Sequence, residues 1–374
     1  MKELIMNYKI FKILFFVIII VLILIMVFLL FLKFYLPFGK TYSKTNEKDY
    51  EKRAGNFYNG IFNNVNNFQM IYGNQDKNNY LSNKYLKPKE KLPIQKPNKI
   101  KKLSIDVLNI TWFGHSTILI GMHGMNILID PVFSNYSSPF QFLGPKRFSD
   151  LPMDINELPN IDIVVISHDH YDHLDYSTIK QIDEKVGRYI VPLGVENHLE
   201  RWKINKNKII NMAWWEETEI NGLKIACTPA RHYSGRSLND RYKSLWSSWV
   251  FIDEFHKVFE SGDTGFDTHF EEIHNKYGDF DLALLDSGQY DKRWKSTHMV
   301  PEESVLAGKI LNAKVIMPIH WGTFKLSNHP WDDPVERFVL TAKEENIKYM
   351  VPKIGQTVLY DKDISTEKWW KNIR

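Results

Sequence analysis

Cysteine is almost absent: Cys227 stands alone in 374 residues. One thiol cannot build an intramolecular disulfide framework, and it identifies neither an oxidising nor a reducing compartment. Its place in the apolar run 223–228 predicts a buried structural thiol rather than a nucleophile. Charge, glycine and proline are all missing from residues 13–32, which are 20 apolar residues in succession. That is the length at which an α-helix crosses the hydrocarbon of a bilayer. A small-residue cleavage site is missing too, since Lys33, Phe34, Tyr35, Leu36 and Pro37 follow directly. The expectation is therefore an uncleaved, single-pass N-terminal anchor rather than a signal peptide. Lys2, Lys9 and Lys12 on one side are balanced by Lys33, Lys40, Lys44 and Lys48 on the other, so charge assigns no side to the rest of the chain.

The charge that is present is unevenly placed. Residues 33–102 carry a net +10 and residues 103–374 a net −8, within an overall +4. The basic stretch is either an electrostatic attachment to anionic headgroups or a solvated Lys- and Asn-rich spacer. Its Pro88, Pro93 and Pro97 lack any periodic setting and read as linker. The acidic remainder would repel a polyanion, so no nucleic-acid partner is expected. Aromatic residues make up 14% of the chain, with 11 Trp, which predicts a thick core. The expected organisation is a tail at 1–12, a transmembrane helix at 13–32, a basic linker and membrane-proximal segment at 33–102, and one large domain at 103–374. A homodimer is compatible with this organisation.

Regular structure is expected from about residue 103. Short apolar strands are predicted at 109–114, 117–121 and 126–130, the last two joined across His123 and Gly124. Further strands are predicted at 161–167, 189–192, 224–228, 248–252, 257–261, 281–285 and 314–319. Helices are predicted at 301–311 and 334–346, each with proline near its first turn and early acids. Strands interrupted by helices fit an α/β class, specifically a layered αββα sandwich.

The chemistry concentrates in His168-Asp169-His170-Tyr171-Asp172-His173, which follows the apolar strand at 161–167. Borderline cations such as Zn²⁺ accept imidazole nitrogen and carboxylate oxygen, so this turn offers several ligands without distant folding. A strand end also holds such ligands on a rigid sheet while the loop stays open to substrate. His232, Asp263 and His320 each follow an apolar stretch in the same manner. Together these make seven ligands, His168, His170, Asp172, His173, His232, Asp263 and His320, which suits two metals that share one carboxylate. Arg231, Arg236 and Arg293 are candidate phosphate contacts.

These motifs resemble the metallo-β-lactamase superfamily, and within it the hydrolases similar to N-acylphosphatidylethanolamine-hydrolysing phospholipase D. The resemblance runs from about residue 103 to 360. It rests on WFGHST (112–117), HDHYDHLD (168–175), TPARH (228–232), SGDTGF (261–266), THMVPEES (297–304) and PIHWGTF (318–324). It implies two Zn²⁺ ions, with Fe or Mn as substitutes. His168, His170 and His232 would bind the first, Asp172, His173 and His320 the second, and Asp263 would bridge. It further implies hydrolysis of a phospholipid or small ester at a membrane by a metal-bound hydroxide, with Asp172 orienting it or taking its proton and His298 donating to the substrate. His115 is expected beside the site in support, and Gln289 and Tyr290 as supporting or substrate-contacting residues. The segment Asp286-Ser287-Gly288-Gln289-Tyr290 departs from the family pattern. Two alternatives stay open at this point: a lactone or sugar-phosphate lactone hydrolase of the same superfamily, and a non-catalytic, membrane-tethered metal-binding protein.

Overall fold

Beyond residue 108 the chain returns repeatedly to short, largely apolar strands, most of them buried on both faces. The computed structural model describes residues 1–66, 86–97, 100, 102–360, 362, 364 and 366–373. In chain order the elements are α1 (Lys2–Phe34), α2 (Lys44–Arg53), β1 (Phe57–Tyr58), β2 (Ile61–Phe62), β3 (Asn109–Trp112), β4 (Ile118–Met122), β5 (Met125–Ile129) and β6 (Ile161–Val165). There follow α3 (Tyr176–Ile182), β7 (Val186–Pro192), α4 (Glu196–Arg201), β8 (Ile209–Met212), β9 (Glu217–Ile220), β10 (Leu223–Thr228), β11 (Ser248–Ile252) and β12 (Lys257–Glu260). The chain closes with α5 (His269–Tyr277), β13 (Leu282–Asp286), α6 (Pro301–Ile310), β14 (Val315–Ile319), α7 (Asp333–Glu344), β15 (Lys348–Tyr349) and β16 (Thr357–Leu359).

Two seven-stranded sheets result, ordered β16-β3-β4-β5-β6-β7-β8 and β15-β14-β13-β12-β11-β10-β9. Each sheet starts with antiparallel pairs and continues in parallel, as in β4 with β5 and then β5 with β6, or β10 with β11 and then β12 with β13. The two halves therefore repeat one strand logic. Between the sheets lies a core that includes Ile110, Ile120, Ile127 and Ile163 from one side and Ile225, Trp249, Phe251 and Leu284 from the other. Fully burying a side chain of this size contributes about 1.5–3 kcal/mol. The Trp249 indole is satisfied across the layers, donating to the Ile166 carbonyl at 3.2 Å. Leu174, Ile179 and Leu199, around α3 and α4, pack on the outer face of the first sheet. Phe270, Val305 and Phe338, from α5, α6 and α7, join the core on the second. This is a four-layer αββα sandwich.

The aromatic richness has a visible use at one edge. Trp112 stacks on Trp321 at 5.3 Å, Trp321 on Trp369 at 5.7 Å, and Trp370 donates to Glu336 at 2.7 Å. Cys227 is buried and desolvation raises its pKa, so it is a packing residue.

Within the stretch expected as linker, two parts are built into the sandwich. Tyr50 of α2, Ala54 capping that helix, and Phe57 and Phe62 of the β1–β2 hairpin share a buried cluster with Leu193, Ala230 and Trp246. Leu92 and Ile94 bridge to Ser149 and Ile354. The apolar residues that drive this packing are spaced among lysines and asparagines, which is why composition alone reads the stretch as spacer. At the N-terminus the helix is longer than expected: α1 takes in residues of the predicted tail, and its span Ile5–Phe34 is long and apolar enough to cross a membrane.

Candidate metal centre

Every predicted ligand lies at or just beyond the end of a strand. The loop after β6 carries His168, His170, Asp172 and His173; the loop after β10 carries His232; Asp263 follows β12 and His320 follows β14. Loops at the carboxyl ends of strands are where α/β sheets build their sites, because the sheet holds the loop bases rigidly.

The structure brings all seven together in two groups. His168, His170, His232 and Asp263 have ligand atoms within 4.8 Å of one another, and so do Asp172, His173 and His320 together with His115. In the first group, His170 Nδ1 lies 2.9 Å from His168 Nε2 and 3.2 Å from His232 Nε2. Asp263 Oδ2 stands between the groups, 3.7 and 3.8 Å from His168 and His232 Nε2 and 3.1 and 3.2 Å from His173 and His320 Nε2.

The outward nitrogens explain these orientations. His173 Nδ1 faces Asp130 at 2.7 Å, His232 Nδ1 faces the Thr297 carbonyl at 2.9 Å, His168 Nδ1 faces Ser167 Oγ at 2.9 Å, and His320 Nδ1 faces Asp286 at 3.2 Å. An acceptor behind one ring nitrogen fixes the tautomer and turns the other nitrogen's lone pair inward, as metal-binding histidines require.

This donor set fits divalent cations. Imidazole nitrogens converge where few can donate a proton to another, and His173 Nε2 and Asp263 Oδ1 are buried without a hydrogen-bond partner. The electrostatics point the same way. Burial holds the His168 imidazole well below its ordinary range, so it is a neutral lone-pair donor. Burial also works against the Asp172 carboxylate, but the His173 charge and bonds from His115, His173 and His320 outweigh it and leave its pKa well below the usual range. For His320 burial is likewise outweighed, here by the charges of Asp263 and Asp286 and by hydrogen bonds, and its pKa rises to about 10. The inner carboxylates thus attract positive charge into a dry place.

The other expected residues separate. His115 is fully buried, with Nε2 2.8 Å from Asp172 Oδ2, as a residue positioning Asp172 should be. It and His320 both take left-handed backbone, at φ 55° and 63°, and are tied together by the His320 N–H donating to the His115 carbonyl at 3.1 Å. Such strain persists only where surroundings enforce it. His298 holds Asp286 through Nδ1 at 3.0 Å and stacks on His320 at 5.0 Å. It lines a cavity of about 500 Å³ with Asp172, Asp263 and His320. Gln289 lines that cavity while accepting the Leu326 and Ser327 N–H groups at 2.9 and 3.0 Å. Tyr290 instead turns its hydroxyl to Asp333 and stacks on His329.

The arginines expected at phosphate are committed elsewhere. Arg231 pairs with Asp267, Arg293 with Asp291, and Arg236 donates to the carbonyls of Pro37, Asp169 and Leu174. The arginine that lines the cavity is Arg241, which sequence reasoning missed. Missed as well were Asp130 and Asp286, the carboxylates behind His173 and His320. Their only signal is an acid at the end of an apolar strand, in LIDP and LLDS.

Known proteins resemble this chain to different depths. A beta-lactamase superfamily domain matches residues 125–321. An uncharacterized protein of Mycobacterium tuberculosis is 39% identical over 289 residues, covering 76% of this chain and 77% of that one. The N-acyl-phosphatidylethanolamine-hydrolyzing phospholipase D 1 of Caenorhabditis elegans is 39% identical over 228 residues, 58% of this chain and 64% of its own length. Among solved structures, Igni18, a metallo hydrolase from Ignicoccus hospitalis, covers 68% of this chain and 98% of its own at a TM-score of 0.53 and 24% identity, a likeness of fold. With the superfamily domain spanning more than half of the chain, this protein belongs to the metallo-β-lactamase superfamily of hydrolases.

Proposed function

We propose that this protein is a membrane-anchored, dinuclear zinc-dependent phosphodiesterase of the phospholipase D type, cleaving N-acylphosphatidylethanolamine-like lipids to phosphatidate and an N-acylethanolamine. The observation that carries the reading is Asp263, whose one oxygen lies within 3.8 Å of four histidine nitrogens at the floor of a cavity also lined by His298. The similarity to the phospholipase D relative supports the lipid class. In this reading His168, His170 and His232 hold one ion, Asp172, His173 and His320 the other, and Asp263 bridges; iron or manganese would satisfy the same donors.

When bound, the ions supply Lewis acidity and lower the pKa of water at the site. The chain's own groups do the rest. Asp172, fixed by His115 at 2.8 Å, orients the attacking water and accepts its proton. The water oxygen bonds to phosphorus, the bond from phosphorus to the ethanolamine oxygen breaks, and the proton passes to that oxygen. His298, its Nδ1 held by Asp286, presents Nε2 to the charge that develops on the phosphoryl oxygens. Arg241 adds a cation, while Tyr171, Tyr233, Trp294 and Leu326 offer apolar wall to an acyl chain. The N-terminal helix keeps this cavity beside its substrate.

The test is turnover by purified full-length protein against a panel of N-acylated and plain phospholipids and a panel of lactones, with and without chelator. Chelator-sensitive release of N-acylethanolamine supports the reading. Turnover confined to lactones replaces the substrate class, and no metal-dependent turnover on either panel returns the chain to a binding role.

A further inference from the structure

The junction between α1 and the sandwich is fixed, not loose. The Arg201 guanidinium donates to the Lys33 carbonyl at 2.5 Å, the Trp202 indole to the Leu36 carbonyl at 2.8 Å and Arg236 to the Pro37 carbonyl at 3.0 Å. Tyr35 donates to the Pro139 carbonyl at 2.6 Å, and its ring stacks on Phe140 at 5.4 Å. Phe140 also lies on Phe31, the fourth-last residue of the helix, at 6.2 Å. Just beyond Phe140, Phe142 and Leu143 stand 78% and 62% exposed, large apolar side chains that water alone would not favour at a loop tip.

The helix sets the level of this loop. None of the helix's apolar window is buried by protein, so in the anchored state its surface is covered by lipid. With residues 13–32 filling the hydrocarbon, Phe31 lies within one turn of its boundary, at about 1.5 Å of rise per residue. Phe140 then sits at that boundary, and Phe142 and Leu143 beside it. Lys33 and Lys40, both exposed, flank the junction at headgroup height. Behind the loop is a cavity of about 480 Å³ with an apolar wall that includes Phe34, Leu36, Pro139 and Tyr176 and a polar wall that includes Asp175 and Arg236. Tyr171 lines this cavity and the metal-ligand cavity alike, so the two share a wall residue.

We propose that the loop 140–143 and the foot of α1 form one bilayer-embedded face, and that the cavity behind it, which shares Tyr171 with the metal-ligand cavity, takes an acyl chain of a phospholipid from that leaflet. The inference rests on the membrane-anchored lipid-hydrolase reading above. It adds where the lipid enters. The continuity of the loop with the membrane helix selects lipid over a protein partner, since any protein covering Phe142 and Leu143 would compete with the bilayer around Phe31.

The experiment uses the full chain in phosphatidylcholine vesicles. Phe142→Cys carries an environment-sensitive fluorophore, with Leu306→Cys on α6 as the control; the native Cys227 is fully buried and stays unlabelled. The label at 142 is expected to shift to the blue and to be quenched by acyl-chain spin-labelled lipid, while the label at 306 is not. An aqueous spectrum at 142 overturns the face. A phosphatidylcholine with a photoreactive acyl chain is expected to cross-link to peptides around 138–141 and 175–177, and Ser177→Trp, which fills the cavity, is expected to cut that cross-linking at least fivefold. Unchanged cross-linking overturns the cavity assignment. Both readouts are independent of turnover, so they stand even where the substrate reading fails. Where the enzyme does cleave vesicle lipid, the Phe142→Asp/Leu143→Asp double variant is expected to lose at least tenfold on vesicles with its rate on a soluble diester unchanged; equal losses on both place the loop in general stability instead.

Discussion

Asp263 and His298 line one cavity but are held in it differently. Asp263 Oδ2 lies within 3.8 Å of histidine nitrogens of both ligand groups, so removing it takes away a carboxylate that faces both. Asp263→Ala is expected to lose metal and activity together, as elemental analysis of natively purified protein will show. His298 lines the cavity wall, and its ring also falls in a third group of candidate ligand atoms with Asp263, Asp286 and His320. Its loss leaves Asp286 with the Thr264 N–H at 3.1 Å and His320 Nδ1 at 3.2 Å, so the ligand shell keeps its backing. His298→Ala is therefore expected to keep full metal and lose about 10²–10³ in kcat on a phosphodiester, the usual effect of deleting one transition-state donor. Wild-type kcat in that variant removes the donor role, and metal loss moves His298 into the ligand shell. The ligands themselves were legible because three histidines and an aspartate crowd one turn and three more ligands follow apolar runs. Asp130 and Asp286 were not. A single acid at a strand end reads as an ordinary turn until the histidine it faces is known, and that pairing spans 43 and 34 residues.

Among elements, α2 shows how composition can hide a fold. Its sequence, KTNEKDYEKR, offers one buried residue, Tyr50, which bonds to the buried Glu196 while Phe57 and Phe62 pack against its ring. Tyr50→Ala removes an aromatic ring from a filled site, for which about 3–5 kcal/mol is the expected cost. Urea titration should show a clear loss of stability, where a true linker would show none. The same element has an ionic tie. Burial raises the Glu216 pKa, but the hydrogen bonds from Arg53 and the Ala213 N–H and the Arg53 charge together outweigh this and leave it lowered from 4.5. A depressed carboxylate contributes stability that is present above pH 4.5 and is lost as pH falls through its folded value. Both partners are partly exposed, so the effect is small and screened by salt. Arg53→Ala should flatten that acid-side slope in thermal melts; an unchanged slope assigns the acid sensitivity to other carboxylates. The other short elements escaped for a related reason. β9 exposes alternate residues in Glu217–Ile220, and β15 and β16 have two and three residues, too few to show a period. Strands buried on both faces, such as β6 and β13, stood out as continuous apolar runs.

At the scale of the whole molecule, the metal ligands tie together loops from both sheets, so metal and fold should be linked. A ligand that binds only the folded state stabilises it by about 2.7 kcal/mol when its concentration is a hundred times Kd. Chelation is expected to lower Tm, and added zinc to restore it. The anchor is separable from this. All seven predicted ligands lie at or beyond residue 168, and deleting Met1–Lys33 leaves Leu36 and Pro37 to keep their bonds to Trp202 and Arg236. The only junction bond named above that the deletion removes is the one from Arg201 to the Lys33 carbonyl. The truncated chain is therefore expected to leave the membrane fraction and to hydrolyse a soluble diester at the wild-type rate. The salt dependence of its residual attachment then separates the basic segment from the apolar loop, because an electrostatic contact weakens as the Debye length falls from about 10 Å at 0.1 M salt to about 3 Å at 1 M. Flotation with anionic vesicles at low salt and release at high salt would make residues 34–102 a second membrane contact. Flotation that persists at high salt would place the remaining affinity on the apolar loop at Phe142 and Leu143 instead, and recovery of the full-length protein in the soluble fraction would remove the anchor altogether.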